Sequence, residues 1–256
     1  MRLVVKVGSS TLSHRTGKVN LRIIDRLCRV LADLDNGGNE VILVSSGAIA
    51  MGVSKLHLPE RPADIPGKQA AAAVGQCELM YTYDKFFSEY DRTVAQILLT
   101  AEDVENPERR NHFENTLGRL LSMGVIPVIN ENDTIATKEI AVGDNDTLAA
   151  IVAVSVKADL LVLLTDTDGL YTGDPRTDSS ARLVDMVEEI TPELYAAAGG
   201  SGSKLGTGGM CTKLQAAVMC MDSGMDMVIA RGSDPSVLYD ILEGKSAGTR
   251  FKGKKS

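Results

Sequence analysis

Short, continuously apolar runs alternate along this chain with longer stretches of helical periodicity, and that alternation restricts its possible folds more than any other feature. The expected strands are residues 3–7, 40–44, 93–99, 125–129, 160–165 and 227–230. Several of them lack the every-second-residue polarity of a half-exposed strand, as strands covered on both faces do. Between them, residues 21–36 set Leu21, Ile24, Leu27, Cys28 and Leu31 on one helical face, and Asn36-Gly37-Gly38-Asn39 supplies a stop. Residues 69–90, 107–123, 145–157 and 210–224 are the other principal helix candidates. This order of elements implies an α/β fold, a three-layer α/β/α sandwich around a largely parallel sheet. Its crossovers are expected to be right-handed.

Composition narrows the class. With 256 residues, 44% hydrophobic and a net charge of −7, the chain can bury a sizeable core and is not disordered. The longest nearly apolar stretch, residues 148–156, is far short of the ~20 residues of a membrane span. Met1-Arg2 leads straight into a strand-like run, so no secretory leader is expected. The acidic balance argues against a nucleic-acid partner. The basic tail Arg250-Phe251-Lys252-Gly253-Lys254-Lys255 is expected to be a frayed, solvated terminus. Cys28, Cys77, Cys211 and Cys220 form neither a CxxC pair nor a disulfide framework, and His14, His57 and His112 form no zinc motif. A reducing, cytoplasmic compartment follows, and zinc or Ser-His-Asp chemistry starts at a disadvantage. No linker or internal repeat divides the chain, so residues 1–256 are expected to form a single domain. Residues 199–209 are expected to be a functional Gly-rich loop and residues 136–142 a short hairpin.

Four polar or Gly-rich segments fall where strands should end, the edge at which open α/β sheets hold ligands. In Lys6-Val7-Gly8-Ser9-Ser10-Thr11, a lysine and a glycine turn could meet a phosphate. Taken alone, the segment reads better as a strand and turn with Lys6 reaching solvent. In Val44-Ser45-Ser46-Gly47-Ala48, the serines could cap a helix or, with Gly47, approach a ligand. Asn130-Glu131-Asn132-Asp133-Thr134 and Gly143-Asp144-Asn145-Asp146-Thr147 concentrate carboxylates and carboxamides without the spacing of a calcium loop. They suit a zwitterionic ligand, or else a solvated Asx-rich loop. The fourth segment pairs Leu164-Thr165-Asp166 with Gly206-Thr207-Gly208-Gly209-Met210-Cys211-Thr212-Lys213, which could cradle nucleotide phosphates. It is neither a Walker loop nor a dinucleotide fingerprint.

Together, and in this order, the segments resemble the amino acid kinase family over about the full chain, and most closely its glutamate-phosphorylating branch. The matching runs include Val5-Lys6-Val7-Gly8-Ser9-Ser10, Ser45-Ser46-Gly47-Ala48-Ile49-Ala50, Pro127-Val128-Ile129-Asn130-Glu131-Asn132-Asp133 and Gly143-Asp144-Asn145-Asp146. Leu164-Thr165-Asp166 and residues 206–217 continue the match. The resemblance implies phosphoryl transfer from ATP, with Mg²⁺ carried on the nucleotide, to the side-chain carboxylate of L-glutamate. It implies catalytic roles for Lys6, Lys213 and Asp146, and glutamate-binding roles for Ser46, Gly47, Asp133 and Asn145. For ATP it implies Lys6, Gly8, Ser9, Thr165, Asp166, Thr207, Gly208, Gly209, Met210, Cys211, Thr212 and Lys213. Proline as feedback inhibitor, hand-off to glutamate-5-semialdehyde dehydrogenase and a homo-dimer or homo-tetramer are further expectations, with no membrane or nucleic-acid partner. Many members of that branch carry a C-terminal PUA domain, which this chain is expected to lack. The alternatives are a kinase of aspartate, acetylglutamate, carbamate or UMP, or a non-catalytic ligand sensor of the same fold.

Overall fold

In the computed structural model, the described residues are 1–14, 16–136, 145–173, 175, 178–197 and 209–254. The six expected strands form: β1 (Arg2–Val7), β2 (Glu40–Ser45), β3 (Val94–Leu99), β4 (Ile126–Glu131), β5 (Leu160–Thr165) and β7 (Asp226–Arg231). With the short β6 (Met186–Val187) and β8 (Thr249–Phe251) they make one eight-stranded sheet, ordered β3-β4-β2-β1-β5-β7-β8-β6. The pairs from β3 across to β7 are all parallel; β8 pairs antiparallel with β7, and β6, parallel to β8, likewise runs opposite to the other six strands.

Helices cover both faces, so the sandwich has the three expected layers. On one face Ile24, Leu27 and Leu31 of α2 (Leu21–Asn36), Met51 of α3 (Ala48–Lys55) and Leu79 and Tyr83 of α4 (Ile65–Ser88) pack with Leu3, Val5 and Leu43. On the other, Val4, Ile42 and Leu161 meet α6 (Pro107–Ser122), α7 (Asn145–Ser155) and α9 (Met210–Asp222) through Leu117, Val152, Ala153, Leu214 and Ala217. Because strand side chains alternate between faces, Lys6 shares the side of Val4 and points toward α7 and α9. Among the described residues, no helix is long and apolar enough to cross a membrane.

Several expectations need correction. The tail is not frayed as far as Lys254: Thr249–Phe251 pairs with β7, and Phe251 is fully buried. Its cations are partnered, Arg250 with Asp226, Lys252 with Glu188 and Lys254 with Asp222. Lys6 does not reach solvent but is buried. Ser45 and Ser46 do not cap α3. The N-cap is Gly47, at φ 104°, with no side-chain cap bond. α4 begins at Ile65 rather than residue 69, with Asp64 capping the Gly67 N–H at 2.7 Å. Beyond the expected hairpin's first residue, Ala136, its remaining positions lie outside the described residues, as does most of the Gly-rich loop.

α3 and α4 touch backbone to backbone. A Cβ on Gly75 would lie 1.8 Å from the Ala48 carbonyl oxygen, and one on Gly52 would lie 1.8 Å from that of Ala71. Neither oxygen belongs to a flexible side chain, so Gly75→Ala must push the helices apart. Overpacking of this kind costs about 1–3 kcal/mol, sometimes more. Urea unfolding is expected to show that loss as a lower midpoint at unchanged slope.

Candidate active site

Parallel strands end on the same edge of a sheet. Gly8 after β1, Ser46-Gly47 after β2, Asn132-Asp133 after β4 and Asp166 after β5 therefore collect on one rim. The chain builds outward from β1 in both directions, through β2 on one side and β5 on the other, so the rim here is a topological switch point. Gly8 N–H donates to the Leu164 carbonyl at 3.3 Å, joining the first loop to the end of β5.

At this rim Asp146, in the first turn of α7, sits between two lysines. Its Oδ1 is 2.7 Å from Lys6 Nζ and its Oδ2 is 3.0 Å from Lys213 Nζ. Thr212 Oγ1 also donates to Oδ2, at 3.1 Å. Asp146 is 0% exposed, Lys6 3% and Lys213 6%. Taking three charged groups out of water is costly unless they bond one another. Lys6 comes from a central strand, Asp146 from α7 and Lys213 from one turn into α9. Three rigid elements thus fix the geometry. Asp146 is at once a first-turn acid, favourable to the helix dipole, and the anion between the lysines.

Beside it lies a second cluster. Asn145 Nδ2 donates to the Ser45 carbonyl at 2.6 Å, to Asn130 Oδ1 at 2.8 Å and to Ser46 Oγ at 3.1 Å. Ser45 Oγ bonds the Tyr83 hydroxyl at 2.8 Å, and burial raises the Tyr83 pKa. Asn130 and Glu131, expected in a loop, are instead the last residues of β4. The sequence motifs give Glu131 no role of its own. Burial, and then the charge of Asp133, push its carboxyl up to about 7. Burial also raises Asp133, although the Arg61 guanidinium pulls it down. A crevice beside this cluster is lined by Leu99, Val104, Leu148, Ile151, Glu131 and Asn145, among others.

Thr165 is buried, with its hydroxyl donating to Asp166 Oδ1 at 3.1 Å. Ser9 opens the short α1 (Ser9–Leu12), and Gly209 to Thr212 lead into Lys213 at the start of α9. Cys211 Sγ lies 3.3 Å from the Tyr195 hydroxyl. Thr207 and Gly208 lie outside the described residues. The structure thus brings together the expected catalytic trio, and separately joins Ser46 to Asn145. No direct bond links Asp133 to either cluster among the described residues.

Residues 1–231 match the model of the amino acid kinase family. A glutamate 5-kinase from Listeria welshimeri is 54% identical over 99% of this chain and 94% of its own length. Another, from Caldanaerobacter subterraneus subsp. tengcongensis, is 55% identical over 98% of this chain and 68% of its own. Among solved structures, the isopentenyl phosphate kinase of T. acidophilum superposes with TM-score 0.67 at 18% identity, covering 98% of this chain and 100% of that one. UMP kinase from Bacillus anthracis gives 0.65 at 15%, over 99% and 96%. These two bear on the fold alone. The chain belongs to the amino acid kinase family. Within it, the chain is similar over nearly its whole length to enzymes named glutamate 5-kinase.

Proposed function

We propose that the chain is a glutamate 5-kinase and, as a single amino acid kinase domain, transfers the γ-phosphoryl group of ATP to the side-chain carboxylate of L-glutamate, giving L-glutamyl 5-phosphate. The observation that carries this reading is the Lys6–Asp146–Lys213 constellation lying in sequence and space beside Asn145, at a rim where Gly-rich turns converge. An unperturbed glutamate side chain has a pKa of about 4.3, so at neutral pH the acceptor is already an anion. It needs no general base. A carboxylate oxygen attacks the γ-phosphorus while the bond to the β–γ bridging oxygen breaks and ADP leaves. The barrier is the approach of two anions and the charge on the phosphoryl oxygens. Lys6 and Lys213 supply cations there, and Asp146 keeps both aimed. Both Asp146 oxygens already serve lysines, which suits a positioning role better than metal ligation. Mg²⁺ carried by ATP would add charge neutralisation.

Ser46, Gly47, Asn145 and Asp133 would hold the amino acid, with Asp133 facing its ammonium group. Gly8, Ser9, Thr165, Asp166 and residues 207–213 would hold the nucleotide. The product is a reactive mixed anhydride, so a following enzyme must consume it promptly. Hand-off to glutamate-5-semialdehyde dehydrogenase, a place at the head of proline biosynthesis, inhibition by proline, a cytoplasmic location and a homo-oligomeric state belong to the same reading. It is tested by initial rates with Mg-ATP and L-glutamate, trapping the acyl phosphate with hydroxylamine. The expected result is a hydroxamate from glutamate, little or none from aspartate or acetylglutamate, no ADP release with UMP, and a lower rate with proline. Absence of hydroxamate with glutamate would sink the assignment.

A further inference from the structure

We propose that Gln76, on α4, is a positioning residue for the acceptor site, reinforcing through Asn130 the orientation that the Ser45 carbonyl gives the Asn145 carboxamide, and with it the end left for the ligand. The proposal rests on reading the Ser46–Asn145 cluster as the amino-acid site. A carboxamide is nearly symmetric in shape, and only its neighbours decide where its oxygen and nitrogen lie. Two neighbours here are backbone groups whose polarity is fixed. Glu131 N–H donates to Asn130 Oδ1 at 2.9 Å, and the Ser45 carbonyl accepts from Asn145 Nδ2 at 2.6 Å.

The rest follows from these two anchors. With its oxygen held by Glu131 N–H, Asn130 must turn its nitrogen to Gln76 Oε1, at 2.9 Å. The Gln76 nitrogen is then directed outward, to Gln96 Oε1 at 3.1 Å. On the other side, Asn145 nitrogen meets both the Ser45 carbonyl and Asn130 Oδ1, at 2.8 Å. Its two hydrogens are committed within the protein. Asn145 Oδ1 makes no hydrogen bond among the described residues, so the residue offers a ligand an acceptor. That suits an ammonium group and disfavours a carboxylate.

Gln76 is the part of this relay that can be removed without touching the ligand. Asn130 is 1% exposed, so its nitrogen has no ready water to replace the Gln76 oxygen. Without that oxygen, a buried donor is orphaned, or the Asn130 amide turns over and sets its nitrogen against Asn145 nitrogen and Glu131 N–H. In the second case Asn145 keeps the Ser45 carbonyl but meets a nitrogen where Asn130 Oδ1 stood, so one of the two bonds that set its polarity is lost and the other is opposed. The adjacent Gly75 locks α4 against α3, so Gln76 has little freedom to compensate.

Two substitutions test the relay. Gln76→Met keeps the length of the side chain and deletes both polar atoms, whereas Gln76→Glu retains an oxygen that can accept from Asn130. Gln76→Met is expected to raise the glutamate KM by about tenfold or more, the scale of one misdirected hydrogen bond. The ATP KM is expected to stay within about twofold, since ATP binding is not addressed by the relay. Gln76→Glu is expected to lie near wild type. An unchanged glutamate KM in Gln76→Met, an equal rise in both KM values, or a Gln76→Glu variant as impaired as Gln76→Met would overturn the proposal. Hydrogen exchange of the Asn145 side-chain amide, followed by NMR, gives a readout without turnover. Protection should be equal in wild type and Gln76→Glu and clearly reduced in Gln76→Met; protection undiminished in Gln76→Met refutes the relay. If wild type fails to phosphorylate glutamate, the functional reading falls and the amide signals alone judge the relay.

Discussion

Asp146→Asn is expected to lose about 3–5 kcal/mol of stability, the usual cost of removing one partner from a buried ion pair, and nearly all turnover. The side chain keeps its shape, so packing is not the cause. What disappears is the carboxylate 2.7 Å from Lys6 Nζ and 3.0 Å from Lys213 Nζ, in a place where Asp146 itself is wholly buried. Two ammonium groups then share a site without the anion that joined them. Either they move toward water, displacing the end of β1 and the start of α9, or the local structure loosens. ATP brings negative charge to the same lysines. Mg-ATP is therefore expected to raise the melting temperature of the variant by more than that of wild type, through preferential binding to the folded state. Urea unfolding checks the first statement, and thermal melting with and without Mg-ATP checks the second. A variant within ~0.5 kcal/mol of wild type, the scatter of an ordinary surface substitution, would mean that Asp146 does not hold the lysines.

The central strands and the principal helices were legible because each was long and its apolar pattern unbroken. α2 was readable to the residue, since its stripe ends at a Gly-Gly stop. The start of α4 was obscured by Pro62 and Pro66, which look like loop punctuation, although a proline in the first helical turn is favourable. β6 and β8 span only two and three residues, too short for any period. β8 was further hidden by lysines whose partners, Glu188 and Asp222, are distant in sequence. At the site, the motifs identified Lys6, Asp146 and Lys213, but taken alone Lys6 read as a solvated residue. Its burial depends on strand parity together with the two helices that cover that face. Gln76 carried no sequence signal. It is one polar residue in an Ala-rich helical run, and its role appears only once β4 brings Asn130 within 2.9 Å.

Lys213→Met and Lys6→Met are each expected to lower kcat by ~10²–10³, the typical effect of deleting one preorganised stabiliser of developing charge. Methionine retains most of the unbranched stem and removes the ammonium, so the core contacts of α9 and β1 survive. Each variant also leaves Asp146 bonded to the other lysine, so the buried carboxylate is not stranded. The loss of stability is therefore expected to be much smaller than in Asp146→Asn, and that contrast separates the two roles. A residue that only supports the fold would lose activity in step with unfolding. One that stabilises the transition state loses kcat while the protein stays folded and the glutamate KM moves little; because the same lysines face the nucleotide, the ATP KM is expected to rise as well. Lys213 enters from the helix that follows the Gly-rich loop and Lys6 from the central strand, so they approach Asp146 from separate elements. If both contact the same transferring phosphoryl group, the double variant should lose less than the product of the single losses, as residues acting as one unit do. Single-turnover rates under saturating Mg-ATP and glutamate measure all three. Near-wild-type turnover in either single variant would remove that lysine from the chemistry, and strict multiplicativity would mean that the two act on separate steps.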